Sequence, residues 1–204
     1  MRLLSLLYYH GVRRKLPGMR RTKERFRTSK QFDRLYTLDK DPFNVLGSSY
    51  EQEKRENLIS FLEGAHFDSI LDIGCGTGVM LHYLAAYGRN VVGLDFSSQA
   101  IELAKRSLHD IPTIRLIEGD LRSLKMGEQF DLFVCSEVLY YLTSAELEAA
   151  LRLIGEHARP NAKLISVMRS DDVEVRGILT STFSLLKERA YVAARPYTIA
   201  LYAI

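Results

Sequence analysis

The stretch SILDIGCGTG at residues 69–78 decides the fold. Its first half, Ser69 to Ile73, is an apolar run that reads as a buried strand. Its second half is a turn in which glycines let the backbone reverse tightly and let a ligand approach with no Cβ in the way. A helix from Val79 to Tyr87 follows, and Gly88 stops it. Downstream, NVVGL (90–94), TIRLI (113–117), FDLFVC (130–135) and KLISVM (163–168) read as four more strands. Between them, Ser97 or Ser98 caps a helix through Ala100, Ile101, Ala104 and Leu108, and Thr143 with Glu146 caps one carrying Leu147, Leu151 and Ile154. A helical stretch from Val175 to Leu186 comes next, and the runs 191–194 and 197–203 pair as antiparallel strands. Strands alternating with helices at this spacing predict an α/β Rossmann-like doubly wound sheet. It is mostly parallel, with about seven strands, an antiparallel C-terminal strand and helices on both faces.

Upstream of this unit, Ser48 followed by Glu51 is a capping-box pattern. Tyr50, Lys54, Leu58, Phe61 and Leu62 then recur at helical spacing, and Gly64 closes that helix. Residues 1–40 hold twelve Lys/Arg against three Asp/Glu, a balance of +9, whereas the remainder carries −6. The excess positive charge therefore sits in one N-terminal fifth, including the run Arg20, Arg21, Lys23, Arg25 and Arg27. We divide the chain into a basic arm or lid (1–40) and a domain (41–204). The apolar stretch Leu3–Tyr9 falls far short of the ~20 residues of a membrane span, and it lacks the small-residue cleavage site of a signal peptide. It allows weak peripheral membrane contact and no integral association. Two cysteines, Cys75 and Cys135, without metal or disulfide spacing point to a reducing, cytoplasmic setting.

In open parallel sheets, ligands bind outside the carboxyl ends of the strands. The conspicuous residues fall there. The turn reads G-x-G-x-G, with Val79 where a dinucleotide fingerprint wants its third glycine or alanine, and no Lys-Ser/Thr pair follows as in a P-loop. Asp95 ends the second strand, where a carboxylate can accept bonds from both ribose hydroxyls. Gly119-Asp120-Leu121 follows the third, where an acid can meet an adenine amino group and Leu121 can pack on the ring. Over residues 66–170 these motifs resemble the class I S-adenosylmethionine-dependent methyltransferases. The resemblance implies that the loop Gly74, Cys75, Gly76 to Gly78 holds the methionine part of the cofactor, with Asp72 nearby. It implies that Asp95 binds the ribose and that Asp120 and Leu121 frame the adenine, with Phe96 and Ser136 also lining the cofactor.

After the fourth strand, SEVLYYL (136–142), with SSYEQEK upstream at 48–54, is similar to the NodS-like nodulation N-methyltransferases, which methylate an amine of an amino sugar. That likeness implies that Tyr50 and Lys54 close over the cofactor. It also gives Glu137 and Tyr140 as the catalytic pair at the acceptor, with Tyr141 beside them. A neutral amine needs at most help in losing a proton, which Glu137 can accept. With no His or Lys evident at that strand end to serve as a stronger base, nitrogen is favoured over oxygen. The five histidines share no metal spacing, so no metal is expected. The partner expected is a small-molecule acceptor, not nucleic acid, and the oligomeric state is open. Two other readings stay open. One is an RNA methyltransferase gripping phosphates with the basic arm, although no Asn/Asp-Pro-Pro-aromatic motif is present. The other is a non-catalytic, cofactor-binding partner protein. A nicotinamide dehydrogenase is disfavoured by Val79.

Overall fold

The computed structural model describes residues 28–62 and 64–204. The apolar start of the arm and its basic run lie outside these residues. Seven strands form one sheet in the order β3-β2-β1-β4-β5-β7-β6. They are β1 (Phe67–Ile73), β2 (Gly88–Asp95), β3 (Ile114–Glu118), β4 (Phe130–Ser136), β5 (Ala158–Arg169), β6 (Ser184–Tyr191) and β7 (Tyr197–Ala203). The first five are parallel, and β7 runs antiparallel to both β5 and β6.

Successive residues of a strand point to opposite faces, so a parallel sheet covered on both sides must be apolar throughout. The central strands obey this. Ile70, Val91, Leu132, Val134 and Ile165 pack with Leu81, Leu84, Ile101 and Leu58 on one face. Leu71, Val92, Phe133, Cys135 and Leu164 pack with Leu147, Leu151, Ile154 and Leu179 on the other. The helices that supply these layers are α2 (Ser49–Ser60), α3 (Val79–Leu84), α4 (Ser98–Ser107), α5 (Ser144–Glu156) and α6 (Val173–Thr182). Thr143 and Glu146 close a reciprocal capping box at the start of α5, as the sequence predicts.

The boundaries differ in three places. The helix expected to Tyr87 ends at Leu84, and Gly88 opens β2 instead of stopping a helix. The helix expected to Leu186 ends at Thr182. Leu185 and Lys187 pair instead with Tyr202 and Leu201 of β7, which satisfies their backbone groups in a ladder. The apolar spacing misleads there because Leu185 and Leu186 are exposed. Residues 192–196, expected to be mostly strand, form the connection between β6 and β7.

Among the described residues, the arm contributes one helix. α1 (Ser29–Leu38) begins where Gln31 Oε1 accepts the Thr28 backbone N–H at 3.1 Å. It buries Phe32 and Tyr36 against Ala100, with Phe43, Phe96 and Tyr141 around them. The boundary set at residue 40 falls just beyond this helix. The strand order changes direction at β1, whose neighbours are β2 on one side and β4 on the other. Open parallel sheets bind ligands in the cleft outside the carboxyl ends at such a point, here beside the turns after β1 and β4, which approach each other at Gly74 and Val138.

Candidate functional site

The floor of the cleft is the turn after β1. Gly74, Gly76 and Gly78 all have positive φ (74°, 54° and 82°). Two of them also sit too close to neighbours for a side chain. A Cβ on Gly74 would lie 2.8 Å from Val138 Cγ2, and one on Gly78 would lie 2.5 Å from Leu108 Cδ1. Gly74 therefore lets the turn after β1 touch the turn after β4. Four of the loop's amides bond inside the protein. Those of Gly74 and Cys75 donate to the Leu94 carbonyl at 2.7 and 3.1 Å, that of Gly78 to the Cys75 carbonyl, and that of Gly76 to Asp95 Oδ2 at 2.9 Å. A pyrophosphate needs such amides free. This loop offers a ligand its open backbone surface and its carboxylates instead.

Asp95 closes the side of the loop. Its second oxygen accepts the Ser97 N–H at 2.9 Å, so both oxygens are fixed while each keeps a further lone pair. Burial raises its pKa, and the bonds from Ser97 and Gly76 work against that rise. Asp33 of α1 continues the chain of bonds, accepting Ser97 Oγ–H at 2.7 Å and the Gln99 N–H at 3.2 Å. Phe32 stacks near Phe96 and Tyr141, with ring centroids 5.1 and 5.4 Å away. The Tyr36 hydroxyl lies 3.1 Å from where a Cβ on Gly76 would stand. Phe32, Asp33 and Tyr36 were not singled out from the sequence. The signal for them was the i,i+4 aromatic pair behind a Thr28–Gln31 cap, hidden by the basic charge around it.

Asp72 lies beneath the loop, fully buried, with Oδ2 lacking any hydrogen-bond partner. Burial, with a smaller contribution from the charge of Asp95, lifts its pKa from 3.8 to about 7. An orphaned buried carboxylate of this kind fits a ligand that brings a cationic donor. The same shift makes a prediction for the protein without ligand. A folded-state pKa above the unfolded value favours the protonated form, so stability is full below about pH 4 and declines as pH rises towards 7. Asp72→Asn should remove that decline and raise the melting temperature at about pH 8 by several degrees. Melting curves from about pH 5 to 8 that stay parallel for the two proteins would contradict it.

At the end of β3, the expected adenine partner is otherwise engaged. Asp120 caps a short 3-10 turn (Leu121–Ser123), accepting the Arg122 N–H at 2.9 Å, and both its oxygens also bond the Arg122 guanidinium. Burial alone would raise the Asp120 pKa, but Arg122 outweighs it and the pKa is lowered. Leu121 is buried beside it.

The turn after β4 carries the other half of the site. Glu137 has φ +58°, a left-handed backbone that non-glycine residues adopt at a cost of about 1–3 kcal/mol. Its N–H donates to the Val167 carbonyl at 2.8 Å, which locks the turn to β5. Its carboxylate accepts Lys54 Nζ–H at 3.0 Å and lies near the Tyr140 hydroxyl. Burial, then the charge of Glu137, pushes the Tyr140 pKa well up, so that hydroxyl keeps its proton. Ser136 precedes this turn at the end of β4.

Lys54 is buried in α2 between Glu137 and Glu51 Oε2, the latter at 2.7 Å. Burial opposes its charge, but the two carboxylates prevail and its pKa is raised. Tyr50 donates to the Arg195 carbonyl at 2.9 Å, which ties α2 to the β6–β7 connection. The structure thus gathers Asp72, the glycine loop, Asp95 and Phe96 on one side and Ser136, Glu137 and Tyr140 on the other. It brings Lys54 directly to Glu137, a pairing that nothing in the sequence announced across 83 positions. The remaining cations of this face are also paired: Arg122 with Asp120 and Glu146, Arg169 with Asp171 and Asp172, Arg195 with Glu51. Among the described residues no group of three or more His, Cys, Asp and Glu could hold a metal ion. No helix of them is long and apolar enough to cross a membrane.

Comparison with known proteins gives a consistent picture. Residues 28–181 match the model of the family described as nodulation protein S (NodS). Nodulation protein S of Azorhizobium caulinodans is 27% identical over 128 residues, covering 62% of this chain and 61% of that protein. A dTDP-3-amino-3,6-dideoxy-alpha-D-glucopyranose N,N-dimethyltransferase of Streptomyces fradiae is 33% identical over 99 residues, covering 48% of this chain and 38% of that enzyme. The chain thus spans about three-fifths of the length of the nodulation proteins it matches. The crystal structure of the N-methyltransferase NodS from Bradyrhizobium japonicum WM9, in complex with S-adenosyl-L-homocysteine, shares the fold. Its TM-score is 0.80 at 22% identity, covering 87% of this chain and 98% of that one.

Proposed function

We propose a function from one premise: the chain belongs to the nodulation protein S (NodS) family, whose model matches residues 28–181. On that premise it is an S-adenosylmethionine-dependent methyltransferase acting on the amine nitrogen of a small-molecule acceptor, an amino sugar being the substrate class. The observation that carries the cofactor reading is a glycine loop with four amides bonded within the protein, set beside Asp95 and over the orphaned Asp72. Such a site suits a neutral diol and an ammonium, and the bonded amides of Gly74, Cys75, Gly76 and Gly78 are not offered to a pyrophosphate. That separates it from a nicotinamide dehydrogenase.

When bound, S-adenosylmethionine supplies a methyl group already activated on a sulfonium. The residues of the chain hold and align. Asp95 receives the ribose hydroxyls on its remaining lone pairs, and Asp72 receives the ammonium. The glycine loop and Cys75 form the floor, while Phe96 and Leu121 bracket the base. Asp120, committed to Arg122, shapes the turn beneath the base. Tyr50 and Lys54 form the wall opposite. Glu137, fixed by Tyr140 and by its own backbone, orients the acceptor amine and takes up its hydrogen bond. Such alignment contributes several kcal/mol to the barrier, up to roughly 7–11 in model reactions.

Nucleic acid is not part of the proposal. Among the described residues, Arg122, Arg169 and Arg195 are paired with carboxylates and offer phosphates little free charge. A cytoplasmic setting accords with Cys75 and Cys135 being free and buried. The test is methyl transfer to glucosamine, read by mass spectrometry. The expected product carries its new methyl on nitrogen. A product methylated on oxygen alone, or no product from protein that binds S-adenosylhomocysteine, would overturn the acceptor reading.

A further inference from the structure

Lys54 stands apart from the rest of the site because it is a buried cation where a cationic substrate is expected. Its Nζ lies 2.7 Å from Glu51 and 3.0 Å from Glu137, and 5.1 Å from the centroid of the Tyr50 ring. From the β6–β7 connection, Arg195 faces the same group, 3.7 Å from the other oxygen of Glu51 and 4.7 Å from the Tyr50 ring. Tyr197 of β7 packs edge-on against Tyr50 and accepts Asn57 Nδ2–H at 2.9 Å. From the turn after β4 come Glu137 and, through it, Tyr140. The groups facing Lys54 are therefore two carboxylates, one guanidinium and three phenols. Within this set, Lys54 and Arg195 balance Glu51 and Glu137.

An acceptor amine arriving as an ammonium would add a second cation to Glu137 with Lys54 already on it. A carboxylate shared by two cations at short range favours the loss of one proton. Lys54 is the harder of the two to deprotonate, because Glu51 holds it independently. We propose, resting on the methyltransferase reading above, that Lys54 is a positioning residue. Its fixed charge beside Glu137 makes the acceptor's ammonium release its proton on the enzyme, so that the amine reaches the methyl group with a free lone pair. The proton leaves through Glu137, whose carboxyl group is partly exposed, to water. The nitrogen then bonds the methyl carbon as the carbon–sulfur bond breaks, and that electron pair stays on sulfur. The methylated ammonium sheds its extra proton to solvent.

The account moves Lys54 from the cofactor to the acceptor, and experiment can tell the two apart. The measurement is the pH profile of kcat for glucosamine methylation, with S-adenosylhomocysteine affinity measured alongside. Removing Lys54 alone leaves the buried Glu51 with only Arg195 at 3.7 Å, so the informative variant is the double replacement Glu51→Gln with Lys54→Met, next to Lys54→Arg. The double variant should shift the acidic limb of kcat upward by about one pH unit or more, as expected when a neighbouring charge is removed. It should lose about tenfold near pH 6.5 and recover most of that by about pH 9, with cofactor affinity unchanged. Lys54→Arg, which keeps the charge, should keep the wild-type limb. An unmoved limb, an equal loss at every pH, or a parallel loss of S-adenosylhomocysteine affinity would overturn the role for Lys54 and leave the methyltransferase reading standing. If wild-type protein fails to bind S-adenosylhomocysteine, or binds it and methylates no amine, the underlying reading fails first and the inference falls with it.

Discussion

Asp95→Ala is expected to weaken binding of S-adenosylhomocysteine by at least a hundredfold. The carboxylate does two things at once. It holds the N–H groups of Gly76 and Ser97, each at 2.9 Å, and it offers its remaining lone pairs to a diol. A hydrogen bond to a charged group contributes about 1.5–3 kcal/mol, and a buried donor left without a partner costs about 1–3 kcal/mol. Two ligand hydroxyls that each lose a bond to a charged group already exceed the roughly 2.7 kcal/mol of a hundredfold change, while the two stranded amides lower stability with or without ligand. Asp95→Asn separates the parts. It retains one acceptor for the loop, so melting temperature should fall less than in the alanine variant while affinity still drops by about tenfold or more. Calorimetry with both variants reads the affinities. Unchanged binding in Asp95→Ala would remove the ribose role.

Glu137→Gln should cut kcat by about a hundredfold or more and leave S-adenosylhomocysteine affinity within about twofold of wild type. The glutamine is nearly isosteric, so the strained backbone at φ +58° and the bond to Val167 should persist. What is lost is the negative charge that faces Lys54 and lies near the Tyr140 hydroxyl. Without it the acceptor amine has no anionic anchor, and the buried Lys54 depends on Glu51 alone. A drop in affinity equal to the drop in turnover would mean that Glu137 serves the cofactor. No drop in turnover would mean that the acceptor sits elsewhere.

The strands of this fold were legible because burial on both faces leaves near-continuous apolar runs, as in SILDI and FDLFVC. The turn chemistry was legible too, since glycine spacing and strand-end aspartates are local signals. Two kinds of feature were not. β6 is exposed along almost its whole length, so no burial pattern marks it, and Leu185-Leu186 extended a helical spacing that the ladder to β7 overrides. α2 buries Glu51, Lys54 and Arg55 as well as Leu58. A face built from charges is readable only when the partners are known, and here they come from Glu137, Arg195 and the Val45 carbonyl. The arm shows the same limit in another form. Its charge dominates the composition, while among its described residues those that reach the site, Phe32, Asp33 and Tyr36, lie on one short helix.

Both halves of the site depend on a sulfonium nucleoside lying over the glycine loop, so the most direct measurement is a calorimetric titration of the intact chain with S-adenosylhomocysteine. The account predicts one site per chain with a dissociation constant in the range of about 1–100 μM, weakened by Asp95→Ala. No heat and no protection against thermal unfolding at millimolar ligand would contradict it.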